Sequence, residues 1–148
     1  AETVETAIMA AETGHLVLTS LHTAGAVQTF YRILNFFDPD RKPAIRQNLA
    51  TTLIAIMNQM LMPSIKDEVP VVPATEVLLN DAVVRGYIER GEEATIGELL
   101  ERKHEGMHDF NNSLVDLVDK SLIDPRRALA ASPNPDKLRT MMSMQRPM

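Results

Sequence analysis

The chain has 148 residues, 45% of them apolar and 24% charged, so it can bury a core and is not compositionally disordered. A formal net charge of -5 argues against a broad nucleic-acid footprint, and the lack of Cys excludes disulfide scaffolds, thiolate zinc sites and cysteine nucleophiles. No apolar run approaches the length of a membrane span, and the acidic opening Ala1-Glu2-Thr3-Val4-Glu5 is unlike a signal peptide, so a soluble, intracellular chain is expected.

Residues 3–13 read as a helix, with Val4, Ile8 and Ala11 on one face and Gly14 as the stop. Leu16-Val17-Leu18-Thr19-Ser20-Leu21 is short and branched and predicts a strand that ends at His22-Thr23. A second helix is expected from about Gly25 to Phe37, where Asp38-Pro39 ends it. Pro43 suits the first turn of a third helix, which the apolar set Ile45, Leu49, Leu53, Ile56, Met57 and Met60 carries to about Met62. Lys66-Asp67-Glu68 reads as a turn, and the Val-rich segment 69–79, broken by Pro70 and Pro73, as an extended edge strand.

Short helices fill the remainder. One runs from an Asn80 or Asp81 cap to Gly91, and another from the capping-box spacing Thr95-Ile96-Gly97-Glu98 to about Lys103. A third covers 109–121 with Phe110, Leu114, Leu117 and Val118 in register, and Asp124-Pro125 and Asn134-Pro135 each open a further one. The Met-rich tail after Leu138 is expected to be loose. Strands with helices between them, then small helices, predict an α/β sheet portion over 1–79 and a helical domain and tail over 80–148. Two strands make a poor sheet by themselves, and there is no initiator Met, so a fragment of a longer protein is expected.

Six glycines are present and none precedes Lys, so neither a G-x-x-x-x-G-K-[ST] loop nor G-x-G-x-x-G occurs. His104-Glu105-Gly106-Met107-His108 matches H-E-x-x-H, in which two histidines one helical turn apart bind zinc. Gly106 falls inside the span at an expected helix break, and no His or Glu follows His108 as a third ligand, so solvated loop histidines are expected instead of a metal site. Thr13-Gly14-His15 and Leu21-His22-Thr23 bracket the expected strand. Ligands of open α/β sheets sit beyond the carboxyl ends of strands, so His22 and Thr23 are candidate phosphate contacts; ordinary turn histidines are the alternative.

Ala11-Glu12-Thr13-Gly14-His15-Leu16-Val17 with Leu21-His22-Thr23 resembles the His box of the type II/IV secretion superfamily ATPases, PilT-like pilus retraction motors above all. The likeness continues through Arg32-Ile33-Leu34, through Ile45-Arg46-Gln47-Asn48-Leu49 and Ile56 to Leu61, and through the Glu76 strand. It extends along Val83-Val84-Arg85-Gly86-Tyr87-Ile88-Glu89-Arg90, similar to A-I-R-N-L-I-R-E, to Gly106-Met107 and to Ala128–Leu138. The chain departs from the pattern at Ala24-Gly25 after L-H-T, and in the charge order of Glu89-Arg90.

The resemblance implies the C-terminal portion of a RecA-like P-loop NTPase domain, beginning just after Walker B, followed by a small helical domain. It implies a cytoplasmic, hexameric motor at the inner membrane that couples ATP hydrolysis to pilus retraction or secretion, with ATP and Mg2+ bound by the full-length protein and no cofactor by the fragment. In that frame His22 sits near the γ-phosphate, His15 and Thr23 support it, and Arg32, Arg46, Arg85 and Ile88 are interface or motor-coupling residues. The alternative is a non-enzymatic helical interaction domain with a vestigial His box.

Overall fold

The computed structural model describes residues 2–145. Eight α-helices and two strands are defined among them: α1 Glu2–Glu12, α2 Ala26–Leu34, α3 Lys42–Thr52, β1 Ala55–Lys66, β2 Val69–Leu79, α4 Ala82–Arg90, α5 Glu93–Glu101, α6 Phe110–Asp119, α7 Pro125–Ala131 and α8 Pro135–Gln145. The chain divides into two compact units, Ala1–Ile56 with Leu78–Glu98, and Met57–Val77 with Leu99–Met148.

In the first unit α3 packs against α1, α2 and α4. The amphipathic α2 turns Ala26, Thr29, Phe30, Ile33 and Leu34 inward, and α4 buries Val84 and Ile88. The ends of α4 follow their sequence signals. Asp81 accepts from the amides of Val83 and Val84 at 2.9 and 2.8 Å, and Gly91 closes the helix with φ +76, in the left-handed region that favours glycine.

The third helix is shorter than its apolar spacing predicts. It ends at Thr52, and residues 55–62 lie in β1 instead. Two tertiary interactions override the helical period. The Asn80 side-chain amide donates to the Ala50 and Leu53 carbonyls at 3.0 and 2.8 Å, satisfying acceptors that the next helical turn would have used. β2 then supplies the ladder partner that makes an extended chain stable. Burial along β1 alternates: Ile56 and Met62 are buried and Met60 half-buried, whereas Met57 is 77% exposed. The strands form a hairpin across Asp67-Glu68, the expected turn.

In the second unit α6, α7 and α8 pack on one another, and their core of Phe110, Leu114, Val115, Ile123, Ala128 and Leu138 includes Met62, Val72 and Ala74 of the hairpin. The tail after Leu138 is helical, not loose, through Gln145, because Met141 and Met142 pack against that core. Residues 146–148 of that tail lie outside the described residues.

Three consecutive side chains at the start of α6 hold the surrounding segments. Asn111 Nδ2 donates to the Asn134 carbonyl at 3.2 Å, and its Oδ1 accepts from Ser132 Oγ at 2.6 Å. The two N–H groups of Asn112 Nδ2 serve three acceptors, Asp109 Oδ1 and the last carbonyls of α5 at Leu100 and Glu101, one of them shared. Ser113 Oγ accepts from the Thr75 amide of β2 at 2.9 Å. All three side chains are buried, and each polar atom with a partner here avoids the desolvation cost of being left unpaired. Lys137 of α8 reaches Glu101 and Asp109 at 2.8 and 3.4 Å.

Candidate functional site

The His-box segment begins at the C-terminus of α1. The Gly14 amide donates to Ala11 and the His15 amide to Ala10, the paired bonds of a Schellman cap, and Gly14 takes φ +90 to permit them. His15 Nδ1 lies 3.2 Å from the Ala10 carbonyl and 3.1 Å from Thr13 Oγ1. A carbonyl only accepts, so Nδ1 carries the proton, and in the neutral ring Nε2 presents its lone pair.

The strand expected over 16–21 does not form. Residues 15–23 have no regular secondary structure, and Leu16 and Leu18 are 74% and 87% exposed. A β-prone run becomes a strand only where a neighbouring strand takes its amides and carbonyls, and none among the described residues pairs with it. The sheet therefore consists of the β1–β2 hairpin, not of two strands separated by helices.

His22 is exposed at the end of this segment, and Thr23 is half-buried. The Thr23 and Thr29 hydroxyl oxygens are 2.7 Å apart, and Gln28 Oε1 accepts from the Ala24 amide at 3.3 Å. Gly25, which caps α2, has φ 179, extended backbone open to any residue. Thus His15 is placed by the end of α1, and the His22–Thr23 pair by the first turn of α2.

The four residues expected at a coupling surface occupy different environments. Arg32 and Arg85 are exposed on α2 and α4, and Ile88 is fully buried in the first unit. Arg46 points into its own unit. It forms an ion pair with Glu93, which is 1% exposed, and donates to the Ile88 carbonyl at 3.4 Å near the end of α4. Its guanidinium lies beside Gly91, where a Cβ would stand 3.6 Å from Cζ. A cation at a helix C-terminus complements the partial negative charge there. Glu93 was not visible from sequence because one acidic residue in Glu92-Glu93 looks like the other; only packing selects it.

The H-E-x-x-H stretch does not lie on a helix. Residues 104–106 form a single 3-10 turn, with Glu105 at φ +48 and Gly106 at φ +85, so the one-turn spacing of the two histidines is lost. His108 Nε2 is 2.9 Å from Thr75 Oγ1, and the His108 backbone exchanges two hydrogen bonds with Val77. Among the described residues no group of three His, Asp or Glu side chains converges as a metal site. No helix among them is long and apolar enough to cross a membrane.

The fold is mixed α/β. The family profile described as "Type II/IV secretion system protein" matches residues 1–106, and the chain belongs to that family. It is a PilT-like member. It is 35% identical over 144 residues to the type IV pilus ATPase PilU of Pseudomonas aeruginosa, covering 97% of this chain and 37% of that protein. It is 34% identical over 138 residues to a twitching motility protein of Neisseria gonorrhoeae, covering 93% and 37%. The solved structure of the pilus retraction motor PilT with bound ADP superimposes with a TM-score of 0.84 at 35% identity, over 95% of this chain and 39% of that one. The chain thus spans well under half the length of these relatives.

Proposed function

We propose that this chain is the C-terminal portion of a RecA-like P-loop NTPase in a hexameric motor that couples ATP hydrolysis to pilus retraction or secretion. The motor works from the cytoplasm at a pilus or secretion base in the inner membrane. Similarity to pilus ATPases along almost the whole chain supports this, and so does the exposure of His22 between two helices whose ends position the turn.

The residues present fit a reporter of the nucleotide and not its cradle. His22 and Thr23 offer hydrogen-bonding groups at an accessible turn, but the sequence has no Gly-rich loop with Lys to hold a triphosphate. ATP and Mg2+ are therefore bound together with residues outside this chain, the metal neutralising charge on the phosphates. His22 donates one ring N–H to a γ-phosphate oxygen while ATP is intact and loses that acceptor after hydrolysis. His15, its Nδ1 proton held by the Ala10 carbonyl, keeps the other end of the segment in place.

The carrying observation is the free approach to His22. In a full-length protein comparable to its relatives, His22→Ala should lower kcat for ATP at least about tenfold, the effect of losing one oriented donor. Unchanged turnover would remove His22 from the chemistry. The 148-residue chain by itself should show no Mg2+-dependent hydrolysis in a phosphate-release assay, and turnover there would place a nucleotide cradle within it.

A further inference from the structure

Thr29 lies on the inner side of α2 and is 7% exposed. Its hydroxyl is 2.9 Å from the Gly25 carbonyl, four residues back, and 2.7 Å from Thr23 Oγ1. A hydroxyl has one proton, and a carbonyl can only accept. Both contacts are therefore made at once only if Thr29 donates to Gly25 and Thr23 donates to Thr29. A threonine bonding back along its own helix is common and carries no function by itself. Here the same oxygen also receives the proton of the residue next to His22. Gln28 adds a second tie one residue further along, at Ala24. Two consecutive side chains of α2 thus hold two consecutive residues of the turn.

We propose that Thr29 is a positioning residue for the His22 turn, and that it commits the Thr23 hydroxyl proton so that Thr23 meets its ligand only as an acceptor. The inference rests on the reading of His22 as a phosphate contact and divides the labour within it. With its proton engaged, Thr23 has none to give a phosphate oxygen, so its outward lone pairs face a donor: an ammonium, a guanidinium or a metal-bound water. His22 is then the phosphate donor of the pair, and the turn distinguishes an anionic oxygen at position 22 from a proton-bearing group at position 23.

The relay is tested on the 148-residue chain by NMR, through the exchange rate of the Ala24 amide and the Cβ shift of Thr23. Thr29→Val should raise that exchange rate about fivefold and move the Thr23 shift, local opening being set by such ties. Thr29→Ser, which restores the hydroxyl, should return both. No change in Thr29→Val overturns the relay. If Thr29→Val does not fold, Thr23→Val removes the donor end from a half-buried position and should speed Ala24 exchange equally; an unaltered rate there overturns the relay as well.

In the full-length protein, Thr29→Val should lower kcat about tenfold with KM within about twofold, and Thr29→Ser should recover it, as expected when a reacting geometry and not binding is lost. If His22→Ala abolishes turnover and Thr29→Val does not alter it, the positioning role fails and the His22 reading stands. If His22→Ala also leaves turnover intact, the reading of the turn itself has failed, and with it the division of donors, whatever the NMR result says of the hydroxyls.

Discussion

In the first unit, Arg46 and the buried Glu93 join α3 to the start of α5 with a full pair of charges; in the second, the neutral side chains of Asn111, Asn112 and Ser113 tie α6 to α5, β2 and the turn before α8. Both arrangements stitch elements distant in sequence, but their failure modes differ. A satisfied amide removed from the interior leaves dipoles unpaired, whereas a lost arginine leaves a whole charge in a low-dielectric site. The first unit therefore holds one interaction whose loss strands a buried charge, whereas each amide tie of the second strands only dipoles. The turn bearing His22 belongs to the first unit, and its flanking helices α1 and α2 pack on α3, the helix that carries Arg46.

The largest expected effect follows from removing the cation that pairs with the buried Glu93. Arg46→Ala should destabilise the chain by about 3–5 kcal/mol in urea denaturation, because Glu93 is left charged and unpaired. Glu93→Gln should cost clearly less, since Arg46 retains partial solvent exposure and the Ile88 carbonyl. Equal costs for the two would break the asymmetry on which the comparison depends.

A smaller loss, about 2–3 kcal/mol by the same measurement, is expected for Asn112→Ala, which takes the side-chain donor away from the Leu100 and Glu101 carbonyls and from Asp109 Oδ1. A cost as large as that of Arg46→Ala would show that stranded dipoles cost as much here as a stranded charge.

The smallest effect belongs to an exposed pair on the first unit. Arg41 of the α2–α3 connection bonds Glu5 of α1, and this hydrogen bond, with the arginine charge, holds the Glu5 carboxyl below its ordinary pKa. The folded-state pKa is the lower one, so the stabilisation is complete above the ordinary glutamate value and is lost as pH falls through the depressed one. Wild type and Glu5→Gln should therefore differ slightly in Tm at neutral pH and converge in acid. A difference that persists to low pH would assign the effect to something other than this carboxylate. Solvent screening keeps it small.

Much of this protein was legible from local chemistry. The Asp81, Asp109 and Asp124 caps, the Gly14 and Gly91 stops and the Asp67-Glu68 turn each act over one helical turn or one tight bend, so residue type alone decides them. The family pattern around His15 and His22 was legible for the same reason, as a contiguous string. Tertiary structure decided the rest. Residues 55–62 carry apolar spacing compatible with a helix, and only β2 and the distant Asn80 amide turn them into a strand. Conversely, residues 16–21 carry strand chemistry yet form no strand, since backbone hydrogen bonds need a second chain segment that sequence propensity cannot supply. The selection of Glu93 over Glu92 and the inward turn of Arg46 both arise where segments remote in sequence exclude water together, and no local signal records that meeting.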